Sequence, residues 1–141
     1  MEPLDAAALP EGALVLVDSA PIIYVLEEHP KLAPRFRPLF DRHAKGEIAF
    51  AVSTITIAEV LAGPLNAKNE ALVKRYRAVL ESWQVVELSA DIAESAARLR
   101  ASLKMKLPDA VQATSALAIN ADALVTHDRD FSRVTALKVV G

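Results

Sequence analysis

The chain contains no cysteine, which excludes a disulfide framework and any thiolate metal site. Histidine is scarce too. His29, His43 and His127 fall at no metal-ligand spacing, so zinc chemistry is not expected. Aromatic residues make up only 5% of the 141 residues, so the 52% hydrophobic share is mostly Ala, Val, Leu and Ile. Such a share fills a helix-and-sheet core, and any surplus suits a subunit interface. Basic residues are missing near the N-terminus, where Glu2, Asp5 and Glu11 replace the positive charges of a signal peptide. Long apolar runs are missing as well. The best, Ile48 to Gly63, is broken by Ser53, Thr54, Thr56 and Glu59 and stops at Pro64, too short and too polar to span a bilayer. The expectation is a cytoplasmic protein with no membrane contact, of a size that buries one core.

What charge there is lies unevenly. Net charge is −2, which argues against a general nucleic-acid coat. Residues 1–30 hold six acids and no Lys or Arg, whereas residues 31–141 hold sixteen basic residues against twelve acids. Three basic groups stand out: Arg35, Arg37, Arg42 and Lys45; Lys74, Arg75 and Arg77; Arg98, Arg100, Lys104 and Lys106. They read either as solvated helix faces or as a phosphate-tracking rim around an acidic site.

Short apolar runs alternate with helix-like segments. Ala13 to Val17 reads as a strand buried on both faces, ending at Asp18, with Ser19 as a cap and Pro21 opening a helix to about Glu28. A helix from Pro34 to Ala44 closes at Gly46, and the strand Ile48 to Val52 leads into a helix capped at Ser53-Thr54 and ending at Gly63-Pro64. The pattern predicts helices over Lys68 to Ser82, Ser89 to Lys104 and Asp109 to Ile119, the last stopping at Asn120. Val85 to Leu88, Ala123 to Val125 and Ala136 to Val140 complete a set of four or five strands. This alternation indicates a parallel sheet covered on both sides, with residues 1–13 as a loose extension and residues 14–141 as one domain.

In such a sheet, ligands bind beyond the strand ends where chain order reverses. Asp18 ends the first strand, Asp128 and Asp130 follow the fourth, and Glu59 and Asp109 lie on helices positioned to reach the same crevice. Gathered carboxylates raise one another's pKa and call for a cation, and an oxygen-only set suits Mg²⁺ or Mn²⁺. Such ions activate water and stabilise charge on a phosphodiester. Each acid also has a plainer role: Asp18 as a helix cap, Asp109 as a first-turn anion, Asp128 and Asp130 as turn residues. Glu59 resists one, because the helix Ile55 to Ala62 has almost no polar face and buries it among Ile55, Ala58 and Ala62.

Four pieces carry a resemblance: Val15 to Ser19, Ser53 to Val60, Leu107 to Ala116 and Leu124 to Phe131. In order and spacing they resemble the PIN-domain family, in particular VapC-type toxins of bacterial toxin–antitoxin pairs. The resemblance implies a three-layer α/β/α sandwich and an endoribonuclease whose catalytic acids are Asp18, Glu59, Asp109 and Asp128. It places Asp18, Asp109 and Asp128 on Mg²⁺ or Mn²⁺, with Ser19 and Thr126 orienting the carboxylates and Asp130 assisting. Asp128 is preferred to Asp130 because it lies closer to the strand end. The family further implies an RNA substrate, a homodimer and a small antitoxin partner.

Two other aspartate chemistries fit poorly. A haloacid-dehalogenase-like enzyme needs a second Asp where Ala20 stands, and a phosphoacceptor receiver needs one where Leu88-Ser89 ends its strand. The stronger rival is a PIN-like module that binds RNA or protein without cutting.

Overall fold

The computed structural model describes residues 4–141. Its five strands, β1 (Leu14–Val17), β2 (Ala49–Ser53), β3 (Gln84–Val86), β4 (Ala123–Val125) and β5 (Val139–Val140), form one sheet in the order β3-β2-β1-β4-β5. Every pairing is parallel, with Leu16 beside Ala51 on one side and beside Leu124 on the other. Successive side chains of a strand point to opposite faces, and here both faces are covered. Val15, Val17, Phe50, Val52 and Val125 enter one core with Ile22, Phe36, Leu39, Val60 and Leu80. Leu16, Ala51, Leu124 and Val139 enter a second core with Ala96, Ala110, Ala113 and Phe131. The three-layer α/β/α expectation therefore holds.

Helices α1 (Ser19–Leu26), α2 (Ala33–Ala44), α3 (Thr54–Asn66) and α4 (Glu70–Glu81) cover the first face, and α5 (Ala90–Leu103) and α6 (Leu107–Ala118) cover the second. Their starts follow from local chemistry. The side chains of Ser53, Asn69 and Ser89 accept from backbone N–H groups of the first turns of α3, α4 and α5. Gly46 and Asn120 take the left-handed conformation at φ 76° and 52°, as expected for residues closing α2 and α6.

Three expectations need correction. α3 does not stop at Gly63-Pro64 but runs on to Asn66, because a proline keeps helical φ and forfeits only one backbone bond near the helix end. β5 is confined to Val139–Val140, the stretch that registers against Leu124 and Val125. The N-terminal segment is not loose over its described part. Asp5 caps a short 3₁₀ turn, Ala6–Ala8, and Ala6, Leu9 and Ala13 are buried. The Arg42 guanidinium donates to the carbonyls of Ala6 and Leu9 and pairs with Glu11 and Glu47, clipping the segment to α2. Met1, Glu2 and Pro3 of the expected extension lie outside the described residues.

Candidate active site

β1 pairs with β2 on one side and with β4 on the other, so chain order reverses between β1 and β4. A crevice beyond the carboxyl ends of these two strands is the geometric consequence. Asp18 follows β1 directly, and its backbone N–H donates to the Val125 carbonyl at 2.9 Å, which ties the two strand ends together.

Asp18 is buried, and a buried carboxylate must be hydrogen-bonded to persist as an anion. Its Oδ1 accepts from the Ser19 backbone N–H at 2.8 Å and from Gln112 Nε2 at 3.0 Å, while Oδ2 accepts from Thr126 Oγ1 at 2.8 Å. Asp18 is thus the N-cap of α1, one of the two residues, with Ser19, to which the sequence offered that role. Thr126 also accepts from the Asp128 N–H at 3.0 Å, so one hydroxyl positions both acidic strand ends.

Asp109 stands in the first turn of α6 and is part-exposed. Loss of hydration pushes its carboxyl up to about 6, helped by the charges of Asp128 and Asp18, opposed by Lys106, and helped further by Asp130. Glu59 is also raised, by loss of hydration first and then by Asp18, held down by a hydrogen bond with the Ser19 side chain and raised again by Asp109. The acids from β1, α3, α6 and the loop after β4 therefore feel one another across a single crevice. Ser19 and Thr126 both touch carboxylates, Glu59 and Asp18 respectively.

The burial assigned to Glu59 from sequence is corrected. Glu59, Ala58 and Ala62 are all solvent-exposed, because α3 turns Thr56, Val60 and Pro64 inward, with Ile55, Ile57 and Leu61 part-buried beside them. Glu59 sits on the crevice rim, where water reaches it but the surrounding protein still thins its hydration. In the last loop, Asp128 acts on Asp109 more strongly than Asp130 does, and its Oδ1 accepts from the Asp130 N–H to cap the 3₁₀ turn Arg129–Arg133.

Sequence reasoning missed Gln112. This residue is fully buried, one helical turn after Asp109, with Nε2 donating to both Asp18 and Thr56 Oγ1. Its Oε1 accepts from Ser53 Oγ at 2.6 Å. The signal was present: an amide three residues after an acid, in a helix otherwise rich in Ala and Val, shares that acid's face.

Among the described residues no histidine is hydrogen-bonded to these acids. His43 stacks on Phe50 at 4.2 Å between centroids, and burial lowers its pKa. His127 Nδ1 meets the Tyr24 hydroxyl at 3.2 Å. Among the described residues, no group of three or more His, Asp or Glu side chains is gathered tightly enough to hold a metal as placed. The donor chemistry nevertheless fits a hard divalent cation, since every donor is oxygen and two of the acids are already driven toward neutrality.

The family model described as PIN domain matches residues 15–137. No curated protein sequence gives a significant match. Similar solved structures include a toxin–antitoxin complex from Klebsiella pneumoniae, with 26% identity, 90% of this chain and 96% of that chain covered, and TM-score 0.71. A VapBC2 structure from Rickettsia felis, bound to a promoter DNA fragment, has 22% identity, coverage of 89% and 96%, and TM-score 0.70. A sarcin-ricin loop cleaving toxin from Mycobacterium tuberculosis has 15% identity, coverage of 85% and 94%, and TM-score 0.67.

Proposed function

The chain belongs to the PIN domain family, and from that premise we propose that it is a divalent-metal-dependent endoribonuclease, the toxin of a toxin–antitoxin pair. The observation that carries the reading is the mutual repulsion of Asp18, Glu59, Asp109 and Asp128 around the β1–β4 switch point. A module that only held RNA would gain nothing from a negative crevice, since phosphate repels it.

Asp18, Asp109 and Asp128 are the residues that would hold Mg²⁺ or Mn²⁺. The cation would supply neutralising charge and Lewis acidity toward a phosphodiester under attack by water. The chain's own residues do the rest. Thr126, Gln112 and the Ser19 N–H fix the Asp18 carboxylate in one orientation, so no reorganisation is needed when substrate arrives. Ser19 aims Glu59, whose carboxylate is made more basic by lost hydration and by Asp18, which suits it to take a proton from an attacking water. Asp109, pushed up to about 6 by lost hydration and the neighbouring acids, would gain most from the neutralising charge of a bound cation. No His, Lys or Cys nucleophile is required, so no covalent intermediate forms and products carry 5′-phosphate and 3′-hydroxyl ends.

The similarity to toxin–antitoxin complexes supports a small antitoxin partner that enters the crevice with a basic side chain, because Arg satisfies clustered carboxylates bidentately. A homodimer is part of the same reading, and exposed Leu88 and Leu117 are apolar surface for it.

The test compares Glu59→Gln with a His43→Ala, His127→Ala double variant on single-stranded RNA with Mn²⁺. Glu59→Gln is expected to be inactive and the double variant active. Cleavage that survives EDTA and Glu59→Gln but vanishes with the histidines would overturn the reading in favour of 2′-hydroxyl chemistry.

A further inference from the structure

The three basic groups of the sequence have different fates. In the first, Arg42 clips the N-terminal segment and Arg35 donates to the Gly141 carbonyl. In the second, Arg77 pairs with Glu81. In the third, Arg98 pairs with Glu94; Arg37, Lys45, Lys74, Arg75, Arg100, Lys104 and Lys106 have no ion pair among the described residues, and what sets the last three apart is that they share one groove. These three cations line one groove of about 790 Å³ at the α5–α6 junction, floored by Ala97, Ala101, Met105 and Leu107.

Local structure gives one of them no reason to be there. Lys104, the C-cap of α5 at φ 54°, a conformation that Glu28 and Lys68 also take, sets its charge at the negative end of that helix dipole. Lys106 is the N-cap of α6, makes no capping bond, and places positive charge at the positive end of the helix dipole. Between them Met105 is buried, so the link is pinned in the core while both flanking lysines are exposed. A residue that breaks a local rule without a structural return is a candidate for a functional role. The groove also adjoins the acidic crevice. Lys106 acts electrostatically on Asp109, three residues on, and Arg133, in the turn after Asp128, donates to the Leu103 carbonyl at 2.6 Å.

We propose that the groove lined by Arg100, Lys104 and Lys106 binds the phosphate backbone of single-stranded RNA flanking the bond to be cut. The identity of the ligand rests on the nuclease reading, but the groove stands on its own geometry. Unpaired like charges around a long open groove fit a repeating polyanion, and the small Ala97 and Ala101 side chains leave room for a chain to lie along α5. The substrate so held would cross from a positive track onto the negative crevice, which fixes the side from which the strand enters.

The experiment measures binding of a fluorescein-labelled 15-nucleotide single-stranded RNA by anisotropy in EDTA, from 50 to 200 mM salt. The variants are Arg100→Gln, Lys104→Gln, Lys106→Gln combined, and Arg77→Gln as a control on α4. Each single-strand phosphate contact contributes about 0.7 to the slope of log K against log salt, so losing three contacts lowers it by about 2. The wild type should then lose about 15-fold more affinity over that salt range than the triple variant, with Arg77→Gln unchanged from wild type. Circular dichroism of the triple variant checks that it is folded, and the single variants replace it if it is not. An unchanged slope in folded variants overturns the proposal, and overturns it alone if the wild type still cleaves RNA with Mn²⁺. A lowered slope in the triple variant, where the wild type never cleaves, supports the groove and sinks the nuclease reading instead. Labelled poly-glutamate bound more tightly than RNA, and released by the triple substitution, would assign the groove to an acidic protein segment and overturn the proposal.

Discussion

Gln112→Leu isolates the buried amide that joins α6 to the acidic crevice. Leucine nearly matches glutamine in volume, so little cavity forms and the effect reports lost polar contacts. Three bonds disappear: to Asp18 Oδ1, to Thr56 Oγ1 and from Ser53 Oγ. The Ser53 hydroxyl can turn to Thr56 Oγ1, which already lies 3.4 Å away, so one loss is largely recovered. The bond to the charged Asp18 is worth roughly 1.5–3 kcal/mol and the neutral one about 1 kcal/mol. The expected loss is about 3 kcal/mol, a large part of the roughly 5–15 kcal/mol of a typical domain, and a fall in Tm of roughly 10 °C. Urea melts of the metal-free protein measure it, with an unchanged m value showing that the native fold persists. Gln112→Glu sharpens the test. It keeps an acceptor for Ser53 but sets a second carboxylate against Asp18, so it should be worse than leucine at pH 7 and recover as that carboxylate protonates. A leucine variant within 1 kcal/mol of wild type, or a glutamate variant equal to wild type at pH 7, would refute the reasoning.

Three further outcomes are expected. Asp18→Asn should abolish Mn²⁺ binding in titration calorimetry, and wild-type-like heat from the variant would show that the cluster does not act as a unit. Asp109→Asn should raise the metal-free Tm at pH 7 by a few degrees and leave it unchanged near pH 3. The native carboxyl is pushed up to about 6 from 3.8, so ionising it costs stability that is absent below 3.8, grows as pH rises, and is complete above 6. That shift is at most about 3 kcal/mol, and solvent screening of this part-exposed group leaves about 1 kcal/mol; a lower Tm at pH 7 would mean that the favourable first-turn charge wins. Expression of the chain alone should arrest growth, and harmless expression of an active nuclease would remove the toxin assignment while leaving the chemistry intact.

The layers of the fold were legible because periodicity is a direct image of burial. Val15, Leu16 and Val17 alternate between two cores, and only a sheet covered on both faces makes an unbroken apolar run favourable. Element ends were less legible, since Pro64 sits inside α3 and does not end it, and β5 is bounded by its register against β4 and not by Ala136. The acids could be read one at a time, at strand and helix ends, but not their surroundings. Glu59 looked buried because a one-dimensional helix of Ile, Ala, Val and Leu hides which residues face solvent, and small alanines lie on its outer side. Gln112 escaped notice because its partners, Ser53, Thr56 and Asp18, are 56 to 94 residues away in sequence.

Asp18 shows why opposing a structural and a chemical role was the wrong frame. A carboxylate offers about four lone-pair directions. Capping α1 uses one, Gln112 a second and Thr126 a third, which leaves a single direction on Oδ2. The cap is therefore not an alternative to the site but the means by which the remaining lone pair is fixed. It also limits what Asp18 does alone, for one free direction supplies one ligand. Any further oxygen donors must come from Asp109 and Asp128, and these are the acids whose repulsion already raises the Asp109 carboxyl. The burial that made Asp18 rigid is what makes the other acids necessary.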